Sequence, residues 1–113
     1  FSLHLDSGEQ VMLYRMRHKD GEPYLTGTWI DAQGQTQRLG ADDIRLIPQD
    51  TATVAGRKMP VRWSIQIPGK HLDIVINALN PNAWMDLRIP YWEGPVRLSG
   101  SHGGQGYLEM TGY

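Results

Sequence analysis

The stretch from Val61 to Asn77 constrains the fold more than any other. Val61, Trp63, Ile65 and Ile67 alternate with Arg62, Ser64 and Gln66, and Pro68-Gly69-Lys70 follows. Leu72, Ile74 and Ile76 then alternate with His71, Asp73 and Asn77, with Val75 the one apolar residue on the polar side. Successive side chains of a strand point to opposite faces, so period two in both arms around a short Pro-Gly loop predicts a β-hairpin with one buried face. Nowhere does a 3.6-residue period persist over three turns, which leaves no helix to pack against this hairpin.

The rest of the chain reads the same way. Phe1, Leu3 and Leu5 alternate with Ser2 and His4, Asp6-Ser7-Gly8 turns, and "EQVMLYRMR" returns. That return is apolar on both faces, with Val11 and Leu13 on one and Met12, Tyr14 and Met16 on the other. A strand of this kind is central or has its outer side covered. Tyr24 to Asp31, Gln35 to Leu39 and Ile44 to Ile47 are further strands, and "GADDIRLI" reads as a plain turn into the last of these. Gln49 to Pro60 reads as a loop with at most a weak strand, and Ala83 to Arg88 fits no single state. A final hairpin joins Val96–Ser101 to Gly106–Thr111 across "HGGQ". Thirteen glycines and seven prolines are spread along the chain, a turn-rich, all-β distribution. Eight to nine short strands in one meander predict an antiparallel barrel, because closure removes the exposed edges.

Length and composition narrow the function. A chain of 113 residues makes one domain. It has no cysteine, so disulfides and thiolate metal sites are excluded. A net charge of -1 with both signs scattered gives no basic stripe for nucleic acid. No apolar run approaches the roughly 20 residues of a membrane-spanning helix. The chain opens on Phe1 directly in strand sequence, as expected of a domain excised from a longer protein with any signal or anchor upstream.

Four segments, "FSLHLDSGEQVMLYRMRHKDG", "PVRWSIQIPGKHLDIVINAL", "YWEGPVRLSG" and "GQGYLEMTGY", resemble the C-terminal domain of the AttH-like/carotenoid 1,2-hydratase family. The resemblance covers essentially the whole chain and is most specific at the "YWEG" and "GYLEMTGY" ends. "DTATVAG" departs from the aromatic-Ser turn common at that point in the family. The resemblance implies a lipocalin-like barrel, an N-terminal lipocalin-like domain of the same protein as its partner, and an extracytoplasmic location. It implies no cofactor and no single reaction. Some relatives hydrate a terminal carotenoid double bond, and others shape cyclisations.

Hydrating an alkene needs a proton donor, aromatic walls for the cation, and a water. The chain offers Asp73, Glu93 and Glu109 beside Trp63, Tyr91, Trp92 and Tyr107. Alternation puts Asp73 and Glu109 on the outer face, opposite Leu72, Ile74, Leu108 and Met110. Glu93 precedes Gly94-Pro95, where a bulge would break the parity. It is an acceptor for nearby amides, the Arg15 head group or Tyr107, a catalytic acid, or simply exposed. Arg15 shares the side of Val11 and Leu13, and an inward arginine calls for a carboxylate, Glu93 or Glu109. The four tryptophans, Trp29, Trp63, Trp84 and Trp92, fill a core, wall a ligand site or meet a partner domain. His4, His18, His71 and His102 lack metal-ligand spacing, "GSHGGQG" lacks the lysine and helix of a phosphate loop, and Ser64 and Ser99 have no triad partners. Three functions follow. One is enclosure of a hydrophobic ligand, with isoprenoids among the candidates, together with the partner barrel, with Trp63, Tyr91, Trp92, Tyr107 and Arg15 as contacts. Another is a hydro-lyase with Glu93 as the acid. The third is an envelope interaction module with no small ligand.

Overall fold

The computed structural model of the chain describes residues 1–113. Twelve strands follow one another: β1 (Ser2–Leu5), β2 (Gln10–Met16), β3 (Tyr24–Ile30), β4 (Thr36–Leu39), β5 (Arg45–Pro48), β6 (Thr51–Val54), β7 (Arg57–Pro60), β8 (Arg62–Ile67), β9 (Leu72–Ala78), β10 (Trp84–Met85), β11 (Tyr91–Gly100) and β12 (Gly104–Met110). Nine of them form one antiparallel sheet in the order β4-β3-β2-β1-β12-β11-β9-β8-β5, and β10 pairs with β11 where β9 has ended. The fold is the all-β, barrel-like form read from the sequence.

The two edges of this sheet are consecutive in the chain. Only Gly40 to Ile44 separates β4 from β5, and a single 3-10 turn at Ala41–Asp43 occupies that link where a plain turn was expected. The link reaches at most about 20 Å, whereas nine flat strands would span about 38 Å from first to last. The sheet therefore curls until its edges approach, and the chain bridges the seam without a hydrogen-bonded ladder across it. Leu39 and Ile44 are buried on either side of the link. A second tie crosses the seam: Lys70, in the turn between β8 and β9, donates to Gln37 Oε1 at 2.6 Å and lies over the Trp29 ring.

Inside the curl, twenty buried apolar residues form one cluster, and no polar or charged residue is buried. Alternation predicts Leu3, Leu13, Trp63, Ile65, Leu72, Ile74, Val96, Leu98, Leu108 and Met110 for this face, and each is at least 95% buried. Trp29, Trp63 and Trp92 also lie within it. The indole N–H of Trp63 donates to Pro60 O at 3.1 Å and that of Trp92 to Pro81 O at 2.8 Å, so neither polar atom is buried unpaired.

Gln49 to Pro60 is not a loop. Pro48 faces Trp63, Gln49 N–H donates to Arg62 O, Val61 N–H donates to Asp50 O, and Thr51 faces Pro60. One register thus runs from β5 through β6 and back through β7 into β8, making a single long hairpin around Ala55-Gly56. Both turn residues have positive φ, 50° and 74°, the signature of a two-residue turn whose twist matches the strands. Val54 and Met59 near its tip are buried in the main core. The distal half of the hairpin thus supplies core side chains of its own.

Candidate functional site

β11 carries the first functional feature. The bulge expected at Gly94-Pro95 is absent, since pairing with β12 runs unbroken from Trp92↔Met110 to Leu98↔Gly104. Pro95 fits because its missing N–H falls where β9 has just ended and only Leu79 N–H reaches its carbonyl, at 3.0 Å. Gly94 is required by space: a Cβ there would lie 2.7 Å from Ala83 Cβ and 3.2 Å from the Trp92 ring. Parity therefore holds through Glu93. Trp92 points into the core, and Tyr91 and Glu93 point outward on the same side of the strand.

On that outward face the Tyr91 hydroxyl donates to Glu93 Oε2 at 3.2 Å. The bond to the carboxylate and its negative charge raise the Tyr91 pKa, with smaller contributions from burial and from Glu109. Glu93 stands directly opposite Glu109. The acceptor role anticipated for Glu93 is thus met by Tyr91, and not by Arg15 or Tyr107. The expected ion pair of Arg15 does not form. The single ion pair of the domain joins Arg62 to Asp50 at 3.6 Å. Arg15 lies on the inner side of β2 with its guanidinium 5.8 Å from the Trp63 ring centroid, whereas both carboxylates lie on the outer side of the sheet.

A second feature is a cavity of about 780 Å³ beside these residues. It opens beyond Phe1, the first residue of this chain. β1 sits between β2 and β12, pairing Ser2 with Met12 on one side and with Tyr107 on the other. Beyond Phe1, β2 continues to Met16 and β12 to Met110 with no strand between them. Tyr14 to Arg17 form one wall, Leu108 to Tyr113 the other, and Phe1 and Trp63, edge to face at 5.2 Å, line it toward the core. Arg17 spans the far end, donating to Thr111 O and Gly112 O at 3.2 and 2.8 Å and stacking on Tyr113 at 3.5 Å.

Of the predicted site residues, Arg15, Trp63, Glu93 and Tyr107 meet around this cavity. Tyr91 joins only through Glu93, and Trp92 is fully buried away from it. Phe1, Arg17 and Tyr113 were missed. Their convergence depends on β1 pairing with β12 across the whole chain, and no local pattern encodes that. The outer flank bears Met12, Tyr14, Met16, Tyr24 and Tyr107, each at least 45% exposed. Met16 faces Tyr24 across β2 and β3, and Ser2 links Met12 to Tyr107 across β1, so these side chains share one face.

A curled antiparallel sheet with an apolar core and an apolar outer flank beside a carboxylate pair defines a barrel-like β domain. The AttH-like family model matches residues 1–113, and the chain belongs to that family. Its structure is similar to the crystal structure of a candidate AttH protein from Nitrosomonas europaea, with a TM-score of 0.86 and 29% identity over 99% of this chain. The chain spans 37% of that protein's length. No curated protein matches the sequence.

Proposed function

We propose that this domain is the docking half of a larger AttH-like protein, and that its outer flank packs against an N-terminal lipocalin-like domain to enclose a hydrophobic ligand at the seam. One observation carries the reading. The concave face is filled by its own twenty-residue core, while Met12, Tyr14, Met16, Tyr24 and Tyr107 form an apolar patch on the outside. Large contiguous apolar patches on a surface mark interaction sites. The related protein's greater length supplies chain for such a partner. An extracytoplasmic location belongs to the same proposal.

The test uses the full-length protein and a fluorescent polyene fatty acid as probe. Tyr14→Glu and Tyr107→Glu should each abolish probe binding while thermal unfolding of the core stays within a few degrees. Unchanged binding in both variants would contradict the proposal.

A second reading is acid-catalysed hydration or cyclisation at the same seam. It is favoured by the juxtaposition of Glu93 and Glu109 beside Tyr91. Closing a partner domain over two facing carboxylates favours protonation of one of them, the state a catalytic acid needs. Loss of turnover in full-length Glu93→Gln with probe binding retained would support it, and retained turnover would exclude Glu93 as the acid.

A further inference from the structure

The gap beyond Phe1 has the dimensions and polarity of one missing β-strand. β2 and β12 both flank β1, so they lie about two strand spacings apart, roughly 10 Å. Leu13 and Phe1 exchange both backbone bonds, Phe1 N to Leu13 O at 2.9 Å and Leu13 N to Phe1 O at 3.0 Å. In an antiparallel ladder the bonded pairs recur every second residue. Two residues beyond Leu13, Arg15 therefore turns its N–H and C=O into the gap. The other wall obeys the same rule. Pro95 has no N–H to exchange with Tyr107, and Glu93 N–H donates to Ala83 O on the far side of β11. Tyr107 and Glu109 therefore direct their backbone groups away from β11. Those of Tyr107 meet Ser2, and those of Glu109 open into the gap.

We propose that the polypeptide leading into Phe1 in the full-length protein continues β1 into this slot as a central strand. Register assigns the pairing: the first residue before Phe1 exchanges bonds with Glu109, and the second with Arg15. The directions agree, because Phe1 already spends its backbone groups on Leu13, so its predecessor's point toward β12 and the next residue's toward β2. Any residue joined to the Phe1 nitrogen begins inside the slot. The Arg17 bridge to Thr111 and Gly112 ends the slot within two to three residues. The second residue's side chain enters beside Arg15 and Trp63, where the guanidinium makes no ion pair. The connection into the domain is then a paired strand, and it ties the preceding domain to β2 and β12 without a free linker.

The inference rests on the reading of this domain as part of a longer chain, but not on the covered outer flank. It is tested by amide hydrogen exchange in the full-length protein. The Arg15 and Glu109 amides should exchange as slowly as that of Leu13, far more slowly than that of Gly21 in its loop. Prolines at the two positions before Phe1 should speed both amides at least about tenfold while Ile65 and Ile74 stay protected. Exchange of Arg15 and Glu109 at the rate of Gly21 in the native sequence would overturn the proposal. So would protection that survives the prolines, because something other than this strand would then cover the slot.

Discussion

Glu93 and Glu109 face each other across β11 and β12 on the outer side of the sheet, at a pair that exchanges no backbone bonds. Such pairs bring Cα atoms to about 4.5 Å, and like charges directly opposite destabilise a sheet by roughly 0.2–1 kcal/mol. Glu109→Gln should therefore stabilise the domain by a few tenths of a kcal/mol. Glu93→Gln relieves the same repulsion but weakens the bond from Tyr91, so it should be the less stable of the two. Urea denaturation of both variants checks this order, and a destabilised Glu109→Gln would show that its carboxylate is held by an attraction.

The Tyr91 phenol should ionise above the ordinary tyrosine value, because its proton is held by Glu93. Its folded-state pKa is raised, so its contribution to stability is complete below the unfolded pKa of about 10 and is lost as pH rises through the folded value. Glu93→Gln should return the titration toward pH 10. Tyrosine-selective NMR resolves Tyr91 from the other four tyrosines, and an unshifted midpoint in Glu93→Gln would contradict the assignment.

Arg15→Met should change stability by no more than about 1 kcal/mol, the scale of a partly exposed cation–π contact. A buried, ion-paired arginine would cost about 3–5 kcal/mol when its partner is left behind. Thermal unfolding separates these outcomes.

Met59→Ala should cost about 2–5 kcal/mol, as expected for a core methionine, although it lies in a segment that reads as a loop. Met85→Ala, at a site 38% exposed, should cost far less. Equal losses would mean that the β6–β7 tip does not belong to the core.

These cases show what the sequence makes legible. The β8–β9 hairpin and the inward face are plain because uninterrupted alternation reports a sheet with one buried side. The β6–β7 hairpin is hidden because Thr51 to Val54 is short, prolines stand at 48 and 60, and Ala55-Gly56 lacks the asparagine or aspartate that marks such turns. Gly94-Pro95 resembles a bend, yet the glycine answers Ala83 and the Trp92 ring, and the proline answers the end of β9. The opposite parities of Arg15 and Glu109 already placed them on different faces, which is why no ion pair forms. The slot is not legible at all, because it depends on β1 pairing with β12 from the other end of the chain. Gly104 and Gly106 permit that pairing, since a side chain at either would collide with the His4 or Ser2 carbonyl.

The docking of the outer flank is tested most directly by methionine oxidation in the full-length protein. Met12, Met16 and Met85 are 49%, 45% and 38% exposed in this domain. Under limiting peroxide, covered Met12 and Met16 should oxidise at least about tenfold more slowly than Met85, because oxidation follows access. Oxidation of Met12 and Met16 as fast as Met85 or faster would contradict a partner domain seated on this face.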